Sequence, residues 1–278
     1  LFALSLSLAA CLGWGIADFI GGLKSRALPT LKVLVLTNAF GLGTLLVIGL
    51  IKGSPPPLDP ALLWGVAGGL VTVAAMILLY QGFAVGSMSI VAPISATGVI
   101  LPVTLGIVLG DQLTRLQAVG IVSAILGAVL AGRERSKQGP ARATAGVWLA
   151  VGAAVAVGLY FIAIDRASEV DPYWAAVIAR LTYGLVLLLL LAAARPRMRI
   201  GRPHLPGLVV CGTLDSLAGY SFALATSLGL LTIVSVVGAL YPAVTVVLST
   251  LVLKERPHPV QVVGVGLALG GVVFISAG

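Results

Sequence analysis

Charge is what this 278-residue chain has least of. Only 9% of its residues are Asp, Glu, Lys or Arg, against about 25% in a soluble domain. A water-soluble fold of this length could not hide the 59% that are hydrophobic, since even a large domain leaves much of its chain facing solvent. Cysteine is scarce too. Cys11 and Cys211 both fall inside apolar stretches, which argues against a disulfide or zinc framework. The two histidines, His204 and His258, stand in joints without partner ligands, so no metal site is expected. A GxxxxGK[ST] phosphate loop is missing, and the GxG within Gly264–Gly271 follows no strand, so neither ATP hydrolysis nor a nucleotide cofactor is supported. No serine, histidine and acid trio lies on the apolar segments in a way that suggests hydrolysis. The net charge of +8 would raise nucleic acid in a soluble protein, but here the positive residues sit at segment ends and form no patch.

What fills the chain instead is ten apolar stretches of about twenty residues, each long enough to cross a hydrocarbon core about 30 Å thick. The first five are Leu1–Leu23, Leu31–Ile51, Ala61–Val85, Met88–Gly110 and Thr114–Gly132. The second five are Thr144–Ile164, Tyr173–Ala194, Pro206–Leu228, Leu231–Leu253 and Pro259–Ala277. Barrel strands would alternate over about ten residues, and these stretches do not. With no water in lipid to satisfy the backbone, the stretches read as helices. The expected fold is an all-α integral membrane protein whose bilayer-facing surface is its partner along most of its length.

Orientation follows from the basic residues, which stay on the cytoplasmic side. With the first residue outside, the inner joints hold Lys24, Arg26, Lys32, Arg133, Arg135, Lys137, Arg142, Arg195, Arg197, Arg199, Arg202, Lys254 and Arg256, which is 13 of 17. The outer joints keep Lys52, Arg115 and Arg166. Both termini are therefore expected on the outer, periplasmic side of an inner membrane. The chain begins at Leu1 inside a stretch and without methionine, so residues are expected to precede it, and a cleaved leader cannot be judged.

The halves resemble each other. Gly86, Ile90 and Val91 match Gly229, Ile233 and Val234, and after a one-residue slip Leu109, Gln117, Gly120 and Gly127 match Leu253, Gln261, Gly264 and Gly271. Five spans per copy is odd, so the second copy enters the membrane from the opposite side. The expected organisation is a first five-helix repeat over 1–132, a basic cytoplasmic linker over 133–143 and a second repeat over 144–278. Inverted repeats around a site at the bilayer midplane are a recurring plan of secondary transporters.

Three stretches carry a family resemblance: GWGIADF at Gly13–Phe19, ARLTYG at Ala179–Gly184, and the run from Ala239 to Gly271, whose first-half counterpart is Leu109–Leu130 with Asp111 in place of Glu255. The chain resembles the drug/metabolite transporter superfamily, in its ten-helix EamA-like branch, over nearly its whole length. It departs from internal symmetry at Gly98, opposite Pro242, and at Thr37, opposite Arg180. The resemblance implies a secondary carrier of amino acids, nucleotide sugars, phosphorylated sugars or other metabolites, with export common.

Ionisable groups in the bilayer cost about 2.5–3.5 kcal/mol each at mid-depth and are functional candidates for that reason. Asp18, Arg180 and Asp215 are the three here. Asp215, deepest in its span, suits a substrate amine, a coupling proton or a pair with Arg180; Arg180 suits a carboxylate; Asp18 suits either an interfacial role with Lys24 or substrate binding. Trp14 is one turn before Asp18 on the same face, and Tyr183 shares a face with Arg180. Tyr80, Gln81, Tyr220 and Tyr241 complete the substrate-binding candidates, because a phenol in lipid needs a partner. Each of these residues has an alternative reading as an ordinary packing or ion-pair group. Pro93, Pro102 and Pro242 remove backbone hydrogen bonds and are the hinge candidates. The pairs Gly65/Gly69, Gly82/Gly86 and Gly266/Gly270 are expected at helix contacts. The cavity is expected between spans 1, 3, 4, 6, 8 and 9. The inventory fits alternating-access transport of a small metabolite, an amino acid and in particular an aromatic one, with Asp215 the first suspect for any coupled proton. A membrane-embedded enzyme or scaffold acting on lipid-linked substrates is the competing reading.

Overall fold

The computed structural model describes residues 1–85, 91, 94–131, 140–194, 201–252 and 259–277. Among them there is no strand. Helix α1 runs Phe2–Ala27, α2 Thr30–Lys52, α3 Leu63–Val85, α4 Ile100–Leu109 and α5 Arg115–Ala131. In the second half α6 runs Pro140–Ser168, α7 Pro172–Ala194, α8 Leu205–Thr226, α9 Leu231–Gly238, α10 Tyr241–Val252 and α11 Pro259–Ala277. Among the described residues six helical stretches are long and apolar enough to cross a membrane: α1, α2, α3, α6, α7 and α8, with short turns extending some of them. Four shorter apolar stretches follow the expected positions of spans 4, 5, 9 and 10. The molecule is a helical membrane protein. The expected linker lies largely outside the described residues, and α6 begins at Pro140.

The helix ends obey local chemistry. Pro29 breaks the chain between α1 and α2, and Lys24 and Arg26 in the last turn of α1 complement its negative dipole end. Helix α2 stops at Gly53, whose φ of 65° is open to glycine at little cost. Thr114 and Gln117 form a reciprocal box at the start of α5: the Thr114 N–H donates to Gln117 Oε1 (2.9 Å) and the Gln117 N–H to Thr114 Oγ1 (3.1 Å). Asp171 caps α7, accepting from the backbone N–H of Tyr173 (2.8 Å) and of Trp174 (3.0 Å).

Helices from the first half pack mainly on helices from the second. The main pairings are α1 with α8, α3 with α6, α2 with α8, α3 with α7, α1 with α9 and α10, α6 with the 3₁₀ turn Thr97–Val99 and α4, and α5 with α11. Exchanging the halves maps these pairings onto one another. The two stretches expected as fourth spans are each interrupted, one at Thr97–Val99 and the other at Ala239–Leu240. Helices α5 and α11 meet backbone to backbone, where a Cβ on Gly271 would stand 2.6 Å from Gly120 O and Ala124 N. The expected glycine contacts divide. Gly65 and Gly69 do press on α7, but a Cβ added at Gly266 or Gly270 would meet nothing within 4 Å, so Gly120 and Gly271 are the packing glycines of that pair of helices instead. Gly82 meets Val91, and Gly86 lies outside the described residues. Trp64 and Trp148, 49% and 71% exposed, stand near span ends, as an interfacial belt requires.

Candidate functional site

Side chains of α1, α2, α3, α6, α7, α8 and α10 enclose a hollow between the halves, with an empty volume of about 770 Å³ that is partly open. Small residues let the walls approach. A Cβ on Gly13 would stand 2.8 Å from the Ala218 Cβ, and one on Gly15 would stand 2.7 Å from the Tyr241 carbonyl oxygen, so α1 lies directly on α8 and α10. Thr245 Oγ1 donates to the Gly15 carbonyl (3.1 Å), and Cys211 Sγ donates to that of Ala17 (3.2 Å), fixing α1 to the second half on both sides of the hollow.

The polar side of the hollow comes from α7 and α8. Arg180 Nη1 donates to Asp215 Oδ2 at 2.8 Å, and the guanidinium lies 5.9 Å from the centre of the Tyr183 ring. Arginine stays charged at any biological pH, so the wall of the hollow always carries a cationic group. Asp18 on α1 lines the same hollow and is 7% exposed. The Tyr241 hydroxyl is held 3.0 Å from Ser95 Oγ, a bond that ties the two interrupted spans together at the rim.

The apolar side is aromatic. Trp14 stacks on Phe161 with ring centres 5.7 Å apart and planes 21° apart, and meets Tyr160 edge-on at 6.4 Å. Phe222 lies 5.4 Å from Trp14 and stacks on Phe161 at 4.4 Å. Aromatic contacts of this kind are worth about 0.5–1.5 kcal/mol beyond the area they bury. Such a wall accepts a flat apolar group without a polar requirement of its own.

Of the residues singled out from sequence, Trp14, Asp18, Arg180, Tyr183, Asp215 and Tyr241 line this hollow. Tyr80, Gln81 and Tyr220 do not. Tyr80 is buried behind the wall, its hydroxyl over Gly21 and 4.0 Å from Cys211 Sγ. Gln81 is exposed on the outer side of α3. Tyr220 points toward the end of the bundle and meets Tyr173 edge-on at 5.9 Å. Lys24 is drawn away from Asp18, its side chain lying across Gly207 at the start of α8. Pro102 and Pro242 each stand in the first turn of a helix that begins after an interruption, where a missing N–H costs no helical bond; Pro93 lies outside the described residues. The wall also takes in α7 and Leu45 of α2, and none of its described lining residues belongs to the fourth span. Tyr160, Phe161, Thr72 and Ser216 were not singled out by the sequence. Tyr160 and Phe161 sit in an unbroken apolar run, where nothing but their ring size separates them from core packing.

Comparison with known proteins bears on the whole chain. The EamA-like transporter family matches twice, over residues 1–133 and 144–277. Among curated proteins none matches. A solved structure titled "Crystal structure of protein" is similar in fold, with a TM-score of 0.75 at 18% identity, covering 97% of this chain and 96% of that one. At that identity the likeness speaks to the fold alone. Two matched copies that together take in almost every residue, on an all-helical apolar frame, leave one assignment: the chain belongs to the EamA-like transporter family and is a multi-pass membrane transporter of small molecules.

Proposed function

We propose that this chain is an alternating-access carrier of ten spans, built as two inverted five-helix repeats, that exports an amino acid, preferably an aromatic one. The hollow carries the reading: one cavity between the halves holds an Arg180–Asp215 pair, a second acid at Asp18 and an aromatic wall of Trp14, Tyr160 and Phe161. A zwitterion with a flat apolar body matches each of these surfaces. Its carboxylate suits Arg180, its ammonium an acid, and its ring the Trp14 wall. The inverted arrangement is supported by helix pairings that survive exchange of the halves and by the matching interruptions of the fourth spans. Two exchangeable halves around one central site can open that site to either side in turn.

Orientation with both termini outside rests on the basic residues. Lys24, Arg26, Arg202 and His204 gather at the antiparallel ends of α1 and α8, while Lys52 pairs with Asp171 at the opposite end of the bundle. Export is the direction common in the family.

Counterflow of tritiated phenylalanine in proteoliposomes tests the reading. Uptake driven by internal unlabelled phenylalanine is expected in the native protein, lost in Asp215→Asn and Trp14→Ala, and retained in Lys52→Ala. Absence of counterflow for every amino acid tried, together with chemical modification of an added lipid by the purified protein, would end it in favour of a membrane enzyme.

A further inference from the structure

On the far side of the α1–α8 pair from the hollow, an open groove of about 790 Å³ runs along the two helix ends that gather basic residues. Ile20, Leu23, Ala27, Pro206 and Val210 make its apolar floor, and Lys24 and His204 are its polar residues. Ile20 points about 200° from Asp18 on α1, and Val210 about 140° from Asp215 on α8, so the groove faces outward to lipid. Measured along α1 from Ala27 to Ile20, it reaches about 10 Å into the apolar zone. Its cations have nothing to answer them. At the other end of the bundle Lys52 pairs with Asp171, and Arg166 with Glu169. Among the described residues Lys24 has no such partner, and no acid lines the groove. Gly207 lets Lys24 reach α8: a Cβ there would stand 2.7 Å from Lys24 Cε and 3.3 Å from its Nζ. That sets an ammonium against the first turn of a helix, where the dipole is already positive and an anion belongs. The turn has no acidic residue and no side-chain cap. His204, at its N-cap position, has an Nδ1 closed to water and without a hydrogen-bond partner. An ammonium, an uncapped helix start and an unpartnered imidazole nitrogen thus meet beside an apolar trough.

We propose that this groove binds an anionic phospholipid, with its phosphate on Lys24 and His204 at the start of α8 and an acyl chain along Ile20, Leu23 and Val210. A free anion would use only the first of these surfaces. A zwitterionic lipid would bring its own ammonium against Lys24. A lipid whose headgroup is negative overall suits the cations and the trough together. Basic pockets between spans on the cytoplasmic side are suited to such headgroups, and the basic residues place this end of the bundle there. The inference rests on the membrane assignment and not on the carrier reading, so a chain that showed no counterflow would still hold the lipid here.

Native mass spectrometry of the full chain in neutral detergent tests it, with phosphatidylglycerol and phosphatidylcholine of identical acyl chains as probes. Phosphatidylglycerol is expected to stay bound where phosphatidylcholine is lost. Lys24→Gln should weaken its retention about fivefold, the effect of one basic group beside an anionic headgroup, and leave phosphatidylcholine unchanged. Val210→Trp should weaken it as well, because the indole fills the trough while every charge remains. Neither position is buried, and an unchanged thermal unfolding profile in detergent shows that each variant is folded. Lys52→Ala, at the opposite end, should change nothing, and glycerol 3-phosphate in excess should displace none of the lipid. Equal retention of the two lipids overturns the proposal. So does a preference for phosphatidylglycerol that survives Lys24→Gln and Val210→Trp, since the basic end as a whole would then explain it. Displacement by glycerol 3-phosphate overturns it in favour of a water-borne anion.

Discussion

Two acid–base pairs of nearly the same length tie helices of this protein together, one between the halves and one within the second. Lys52 and Asp171 meet at 2.6 Å at the end of the bundle, joining α2 to the cap of α7. Arg180 and Asp215 meet at 2.8 Å within it, joining α7 to α8 beside the hollow. The outer pair has water for both partners if it breaks, and such pairs contribute about 0.2–1 kcal/mol. The inner pair lines a partly open hollow, and it is the guanidinium, 11% exposed, that has least access to water. Removing both charges of a buried pair is often neutral, whereas removing one strands the other. An expensive pair in a cavity wall is therefore better understood as part of what the cavity does than as a fastening, while the outer pair is a fastening and little else.

The sharpest way to break this contrast is Asp215→Ala, which leaves the Arg180 guanidinium buried and unpaired. We expect a loss of about 3–5 kcal/mol, read as a large drop in thermal unfolding in detergent, together with loss of counterflow. Arg180→Met combined with Asp215→Leu should recover most of that stability and none of the transport; recovery of both would make the pair merely structural. A smaller effect is expected from Asp171→Ala, which removes the α7 cap as well as the outer pair and should cost about 0.5–2 kcal/mol with transport intact. Lys52→Ala, which spares the cap, should cost less than about 1 kcal/mol and leave counterflow unchanged.

Acid sharpens the outer side of the comparison. Burial pushes the Asp171 carboxyl up, but the hydrogen bond from Lys52 and those from the backbone N–H groups of Trp174 and Tyr173 outweigh it, so the carboxyl titrates below its ordinary value. A group lowered in the folded state adds stability that is complete above its unfolded value, about 3.9, and lost as pH falls through the lowered one. Unfolding followed downward from pH 5 should therefore show a loss of stability that is absent in Asp171→Asn.

Much of the frame was legible in the sequence, because lipid imposes length and hydropathy on every crossing and because Pro29, Gly53, Thr114 and Asp171 mark ends by local chemistry. The site was legible where polarity is rare: Asp18, Arg180 and Asp215 stand out in any apolar span, and all three meet at one hollow. It was not legible where facing decides. Tyr80 and Gln81 are adjacent, so they point about 100° apart on a helix and cannot share a wall; Tyr80 turns to α1 and α8, and Gln81 turns outward. Asp215 and Gly219 share a face, which leaves Tyr220 turned toward Tyr173. Phe161 had no signal at all, since a buried ring in an apolar run looks the same whether it meets a neighbour or a guest. The places of Pro102 and Pro242 could not be read from the sequence alone: each stands in the first turn of a helix, and the breaks come just before them.

The meeting of α5 and α11 at Gly120 and Gly271 has a consequence for movement. Peptide group lies on peptide group there, with no rotamers between them that could re-sort to absorb a slide. A joint of that kind resists shear, as do the backbone contacts of Gly98 with Gly158 and of Gly212 with Thr37, so on the carrier reading proposed above these seams are expected to move least. A cysteine cross-link planted along this seam ought to leave a working carrier, while one spanning the hollow from α3 to α7 ought to freeze it.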